Sequence, residues 1–205
     1  MDGFWAVVYS RALNRMDYTR LSLADVRSGL DDVARDVQTT FGHLDASQLN
    51  WRPDARRWSV AQCFEHLVAA NRLMFRAAED ALDDAQPQTI WRRLPILPGV
   101  LGRALIRSQS PGATRKFTAP SKAQPAASDI APDIIKRFIE QHRDLVAWLQ
   151  TQDEDRTARA IMTSPFIRVV TYSVLDGVRL IVAHDRRHFA QAERITVTSG
   201  FPVKA

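Results

Sequence analysis

The feature that most constrains this sequence is a repeating three- and four-residue spacing of apolar side chains. The spacing is clearest in residues 19–41, where it is formed by Leu23, Val26, Leu30, Val33, Val37 and Phe41. It occurs again in residues 59–82, 132–151 and 170–196. Such a spacing places the apolar residues on one face of an α-helix. Four amphipathic helices must bury these faces against each other, so the sequence predicts an all-α protein built as a four-helix bundle.

Local signals support the starts of two helices and complicate a third. Ser59 and Gln62 have the spacing of a capping box, in which two side chains satisfy backbone N–H groups at a helix start. Pro132 suits the first turn of the third helix. The stretch IRVVTYSVL, residues 167–175, has the β-branched composition of a strand. No turn signal separates it from the helical pattern that follows, so we interpret it as helical and begin the fourth helix at residue 170.

A long basic, proline-rich loop is predicted between the second and third helices, at residues 85–128. Bundle helices are commonly joined by roughly two to eight residues, so this connection is unusually long. We interpret it either as a solvated connection or as a means of capturing an anionic substrate. Within it, GVLGRALI (99–106) is compatible with a short helix, and Trp91, Ile96 and Leu97 supply apolar side chains that would cover the bundle. Its charged residues are all basic, namely Arg92, Arg93, Arg103, Arg107, Arg115, Lys116 and Lys122.

The chain divides into an N-terminal extension (1–18), the bundle with its loop (19–197) and a C-terminal tail (198–205). The single cysteine, Cys63, excludes an intramolecular disulfide. No stretch reaches the roughly 18 apolar residues of a membrane span, and the first residues lack the pattern of a signal peptide. We therefore expect a cytoplasmic protein without a membrane partner.

The net charge of +5 raises the question of nucleic-acid binding. The basic residues of the loop at 85–128 account for all of the excess, and the remainder of the chain is slightly acidic. This loop lacks the interleaved aromatic residues of a surface that binds single strands. We expect no nucleic-acid partner.

Three histidines mark the predicted site. In AHDRRHFAQAERI, residues 183–195, His184 and His188 are four residues apart on the inward face of the fourth helix. The same spacing places His66 on the inward face of the second helix. Burying an imidazole without a partner costs about 1–3 kcal/mol, and coordination of one metal ion by all three would offset this cost. The alternative is that these histidines are polar core residues that happen to lie close together.

Three protein ligands leave one coordination position open, which is typical of catalytic metal sites. Three imidazoles suit a divalent ion, with zinc or nickel expected first and iron or manganese as further candidates. The HExxH motif does not fit, because Asp185 stands where that motif requires Glu. The charged residues of this helix are expected to flank the inward face or to point away from it, namely Asp185, Arg186, Arg187 and Glu193.

Four further residues are candidates for the surroundings of the metal or for the pocket. Cys63, one turn before His66, is interpreted as a small buried side chain, with a fourth ligand or nucleophile as the alternative. His142 is interpreted as a hydrogen-bonded core residue, or as part of the site lining. Gln191 follows His188 by three residues and is a candidate to orient a ligand. Gln62 completes the set.

Three segments of the chain resemble one known family: QLNWRPDARRWSVAQCFEHL (48–67), TAP (118–120) and HDRRHFAQAERI (184–195). With them the chain, from about residue 21 to 196, resembles the DinB/YfiT-like superfamily of metal-binding four-helix bundles. The resemblance implies an up-down-down-up order of the helices, a homodimer, and His66, His184 and His188 as the metal ligands. Similar proteins often carry Glu at the place of Gln62, a carboxylate that this chain lacks.

The resemblance also implies activities, since the family includes transferases of low-molecular-weight thiols such as bacillithiol, mycothiol or glutathione, and a maleylpyruvate isomerase. We expect first a metal-dependent S-transferase that joins such a thiol co-substrate to a small-molecule electrophile, because a bound metal lowers the pKa of a thiol. The second hypothesis is a metal-dependent hydrolase, which needs a general base that no inward Asp or Glu supplies. The third is a non-enzymatic helical bundle that binds a ligand or partner.

Overall fold

The computed structural model describes residues 16–83, 97–113, 118–127 and 129–202. In these residues the protein is mostly helical, with one small antiparallel sheet and 3-10 turns at Tyr18–Arg20 and Ser121–Ala123. In chain order its elements are α1 (Leu23–Phe41), α2 (Ala46–Asn50), α3 (Val60–Leu82), α4 (Leu97–Gln109), α5 (Ile134–Gln150), α6 (Glu154–Arg159), β1 (Ile161–Thr163), β2 (Thr171–Ser173) and α7 (Val174–Thr196).

The four long helices α1, α3, α5 and α7 correspond to the four stretches of apolar spacing. Helices α5 and α7 each pack against both α1 and α3. Both clusters of buried apolar residues take side chains from all four long helices. In one cluster four phenylalanine rings meet edge to face with centroids 5.1–5.4 Å apart, and each long helix supplies one ring: Phe41, Phe64, Phe138 and Phe189. The predicted helical class is confirmed, and the up-down-down-up order stays a prediction.

The predicted capping box at the start of α3 is confirmed. The hydroxyl of Ser59 accepts from the backbone N–H of Gln62 at 3.1 Å, and the Gln62 side chain accepts from the N–H of Ser59 at 3.0 Å. Both residues are buried. Because these bonds satisfy donors that would otherwise lack partners in the interior, they fix the first turn of the helix that carries His66.

The interpretation of residues 170–173 as helical is wrong. Thr171–Ser173 forms a strand that pairs antiparallel with Ile161–Thr163, with Met162 opposite Tyr172. Helix α7 begins only at Val174, where the Ser173 hydroxyl accepts from the N–H of Asp176 at 3.0 Å. The β-branched composition therefore prevails, because a second short strand supplies a partner that is distant in sequence.

The connection between α3 and α5 contains the predicted short helix. Helix α4 packs against α7 and β2. The approach to α7 is close at Gly102, where a Cβ atom would lie 2.5 Å from a carboxylate oxygen of Asp176. Of the predicted covering residues, Trp91, Ile96 and the Leu97 side chain lie outside the described residues.

The ends of the described chain pack against the helices. Tyr18, in the predicted N-terminal extension, is buried in the core. In the predicted tail, the ring of Phe201 meets Trp51 edge to face, and the Pro202 carbonyl accepts from the Gln48 side chain at 2.9 Å. The domain boundaries stay predictions. Among the described residues, no helix has the length and apolar character needed to cross a membrane.

The substitution Ser59→Ala tests the capping box. We expect it to lower the free energy of unfolding by about 1 kcal/mol, since it leaves a buried N–H of the first turn without an acceptor. Urea denaturation followed by circular dichroism measures this loss. Ser28→Ala, the same change on the exposed side of α1, is the control and should cause no loss. Equal stability of Ser59→Ala and the wild type would contradict the prediction.

Candidate metal centre

The three predicted histidines meet where α3 packs against α7. His66 lies in the second turn of α3, and His184 and His188 lie one turn apart on α7. Their ring centroids are 4.6–5.1 Å apart in all three pairings. One nitrogen from each ring can be chosen so that all three lie within 4.8 Å of one another. His66 and His188 are buried and His184 is half-buried. This cluster could bind a metal ion.

Hydrogen bonding orients His66 toward the cluster. Its Nδ1 donates to the carbonyl of Ala123 at 2.6 Å, so Nε2 carries the lone pair. That Nε2 lies 3.3 Å from Nε2 of His184. Two nitrogens bound to one zinc ion at about 2.0–2.1 Å with tetrahedral angles would also be separated by about 3.3 Å. The three imidazole nitrogens therefore fit a metal ion as ligands. The Ala123 carbonyl holds the His66 ring through the nitrogen that faces away from the cluster.

His188 supplies a second indication. Its Nδ1 is buried and has no hydrogen-bond partner among the described residues. An unsatisfied buried polar atom is unfavourable, and such atoms usually have a water molecule or an ion as partner. Gln191 lines the same cavity as His188, at the position the sequence predicted for an orienting residue.

The electrostatics keep the cluster neutral. Burial lowers the pKa of all three imidazoles, and that of His184 falls to about 3. The guanidinium of Arg187 lowers the pKa of His184 and His188 further, whereas the Gln191 side chain opposes the shift at His188. Metal ligands must be deprotonated, so near neutral pH the imidazoles are in the state that coordinates a metal.

Trp58 is a site residue that the sequence did not single out. Its ring stacks on His188 with centroids 5.9 Å apart and meets His66 at 5.1 Å. Trp58 immediately precedes the cap residue of α3, and the sequence favours packing at the helix start as its role. The one sequence signal for this contact is that a large aromatic residue directly precedes a helix with a histidine on its inward face.

Of the three charged residues between the two histidines of α7, Asp185 and Arg186 are buried and Arg187 is half-buried, which the sequence did not indicate. Asp185 is fully buried and accepts from Asn71 of α3 at 3.0 Å and from His142 of α5 at 2.9 Å. Arg186 is paired with Asp36 of α1. These contacts tie α7 to the other three long helices. They also turn the carboxylate of Asp185, which follows His184 in the chain, away from the cavity, since Asp185 is not among the lining residues.

The remaining candidates lie around the cluster. The ring of His142 is hydrogen-bonded to the Asp185 carboxylate and to the Phe138 carbonyl. His142 is not among the residues that line the cavity. Cys63 is buried in the apolar core, and burial raises its pKa to about 12, so it is a neutral thiol. Gln62 uses its amide to cap α3 and to donate to the Ala126 carbonyl at 2.8 Å.

The histidines form part of the wall of a cavity of about 1120 Å³. Four arginines also line it, and none of the lining residues that the structure describes is Asp or Glu. These arginines are not those of the predicted basic loop: Arg103, Arg107 and Lys122, the loop cations with described side chains, are exposed and lie outside the lining. The cationic lining comes instead from Arg56, Arg57, Arg187 and Arg194.

The fold and the site together define a mostly helical protein with a histidine cluster that could hold a metal ion. Residues 29–192 match the family model of the DinB superfamily. This match covers most of the chain, and the protein belongs to the DinB superfamily, which confirms the resemblance seen in the sequence. No curated protein and no solved structure matches the sequence.

The lowered pKa values predict how the stability of the metal-free protein depends on pH. Below the ordinary histidine pKa of about 6.5 the unfolded chain takes up protons that the folded cluster does not, so stability falls with falling pH. The loss extends from about pH 6.5 down toward the pKa of His184, about 3. His188 alone contributes at most about 1.4 kcal/mol per pH unit in this range.

Urea denaturation of chelator-treated protein at several values between pH 7.5 and 5.5 measures this dependence. The matched variant His188→Gln, whose side chain does not titrate, should lose less stability over the same range. An equal loss in the variant and the wild type would show that His188 titrates normally in the folded state.

Proposed function

We propose that this protein is a metal-dependent enzyme whose divalent ion is held by His66, His184 and His188. The observation that carries the proposal is the convergence of three neutral imidazoles, with two Nε2 atoms 3.3 Å apart, on the wall of a large cavity. Three ligands leave a position for a substrate. We expect zinc or nickel, with iron or manganese as further candidates.

The most favoured reaction is transfer of a low-molecular-weight thiol to a small electrophile. A bound divalent ion lowers the pKa of a thiol beside it and so supplies thiolate at neutral pH. The thiolate sulfur attacks the electrophilic carbon, the new C–S bond forms, the leaving group departs with its electron pair, and the thiol proton passes to solvent. The Cys63 thiol has no part in this reaction, because it is buried in the core and protonated.

The chain's own residues prepare the site for this chemistry. The Ala123 carbonyl fixes the tautomer of His66, and the Trp58 ring covers the sides of His66 and His188. A hydrolase in which the metal activates water is less favoured, because the described cavity wall supplies no carboxylate as general base.

Metal analysis tests the ligand set. Protein purified without a histidine tag should contain about one divalent ion per chain, as expected of a site with three protein ligands. His188→Ala should lose this ion, whereas His43→Ala, which changes an exposed histidine after α1, should retain it. Inductively coupled plasma mass spectrometry measures the content. Equal metal in both variants would contradict the proposed ligands.

Metal binding should also stabilise the fold. At a free ion concentration about a hundredfold above Kd, the free energy of unfolding should rise by about 2.7 kcal/mol, and a chelator should reverse the change. A protein whose stability responds to neither ion nor chelator would favour the hypothesis of a non-enzymatic bundle.

An activity screen tests the reaction. Metal-loaded protein is mixed with monochlorobimane as the electrophile and with glutathione, cysteine or bacillithiol, and fluorescence reports the thioether. We expect a rate above the uncatalysed reaction with at least one thiol, and loss of that rate in His188→Ala and after chelation. Absence of a protein-dependent rate with every thiol, in protein shown to hold its metal, would overturn the transferase proposal.

A further inference from the structure

The chemical character of the cavity wall changes along helix α7. The residues of α7 that line it follow one helical face: Leu180, Ile181, His184, Arg187, His188, Gln191, Arg194 and Ile195. From Leu180 to Arg194 this face spans about 21 Å at the helical rise per residue. Leu180 and Ile181 come first, Arg187 lies between the two histidines in the middle, and Gln191, Arg194 and Ile195 lie toward the other end.

Helix α3 runs in the opposite direction, so it reinforces this order. Trp58, just before α3, stacks on His188 in the second half of α7. Met74, late in α3, has its sulfur 3.4 Å from the hydroxyl of Tyr172, just before α7. Arg56 and Arg57 therefore lie near the arginine end of α7, and Met74 lies near its apolar end. Three of the four arginines therefore lie at one end of the cavity, and the apolar side chains of Leu180 and Met74 lie at the other.

The apolar end is closed by residues from other elements. Phe166 and Ile167 of the β1–β2 connection, Leu105 of α4 and Tyr172 of β2 line the cavity. Phe166, Leu105 and Leu180 pack against the main apolar cluster, as partly buried side chains that keep one side available to the cavity. Such a wall favours an alkyl or aromatic body.

Arg187 is the cation with the best-defined position. Its guanidinium donates to the carbonyl of Ser108 on α4 at 2.7 Å, which holds the side chain across the cavity wall. It acts electrostatically on both His184 and His188, so its charge lies near the metal cluster. None of the lining residues that the structure describes is Asp or Glu, so an anion that enters the cavity meets arginines without a competing carboxylate.

We infer that the cavity binds an amphipathic anion. Its acid group lies within reach of Arg187, the specificity-determining residue, on the side of the cavity that carries the other three arginines. Its alkyl or aromatic body lies between Met74, Leu180 and Phe166. The reactive group of such a molecule would lie beside the histidines, midway between the two ends. The inference names a substrate class for the proposed enzyme and rests on the proposed function for the reaction, whereas the binding itself does not depend on it.

Two dyes that differ by one acid group test the inference. Anilinonaphthalene sulfonate is an aromatic anion, and phenylnaphthylamine is the same aromatic body without the sulfonate. Fluorescence titration of both dyes is carried out on metal-loaded and on chelator-treated protein. We expect the anion to bind about tenfold more tightly or better in both forms, because a charge-assisted hydrogen bond to arginine is available only to the sulfonate. Equal affinities for the two dyes would overturn the inference.

Variants locate the binding site. Arg187→Gln should weaken binding of the anionic dye about tenfold and leave the neutral dye unchanged, and Arg187→Lys should restore part of the loss. Arg103→Gln, at an exposed arginine outside the cavity, is the matched control. Leu180→Gln should weaken both dyes, because it makes the apolar end polar. If Arg103→Gln and Arg187→Gln have the same effect, general charge attraction rather than this site accounts for binding, and the inference fails.

These outcomes can be separated from those of the proposed function. A preference for the anionic dye that depends on Arg187, in a protein without bound metal or thiol-transfer activity, would support the inference and overturn the proposed enzyme. A metal-loaded, active protein without this preference would support the enzyme and overturn the inference.

Discussion

The antiparallel packing of α3 against α7 is the interaction on which the rest of the site depends. It brings His66 to the pair formed by His184 and His188, so three polar rings share one region between two helices. A cluster of buried imidazoles is tolerable only if the rings stay neutral and find partners. Burial keeps them neutral, and the Ala123 carbonyl provides His66 with its partner, which leaves the inner nitrogens directed at one another.

Helix α7 separates its charges between two faces. Asp185 and Arg186 turn toward α3, α5 and α1, where each has a side-chain partner. Arg187 turns toward the cavity together with the two histidines. Because the carboxylate is used in helix packing, the cavity wall has arginines and neutral imidazoles but no acid among its described residues. Asp185 and Arg186 therefore hold α7 in place, and the next residue, Arg187, contributes to the positive charge of the cavity wall.

The sequence predicted the helical elements well because the information needed for them is local. Apolar spacing locates the four long helices, and the Ser59–Gln62 pair marks the start of α3 to the residue. The prediction failed at residues 170–173, where strand pairing with Ile161–Thr163 depends on a partner outside the local window. The buried state of Asp185 was missed for a related reason, since its partners Asn71 and His142 lie on two other helices.

By itself the sequence determined that three histidines lie on the inward faces of two helices, because helical periodicity fixes the face of each residue. Only the tertiary structure decided that these faces meet with their nitrogens in contact range and that Trp58 lies over them. It also decided that Arg56, Arg57, Arg187 and Arg194, rather than the described cations of the loop, surround the cavity. The helix face on which a side chain lies is encoded in the local sequence, whereas the pairing of two helices depends on the packing of the whole core.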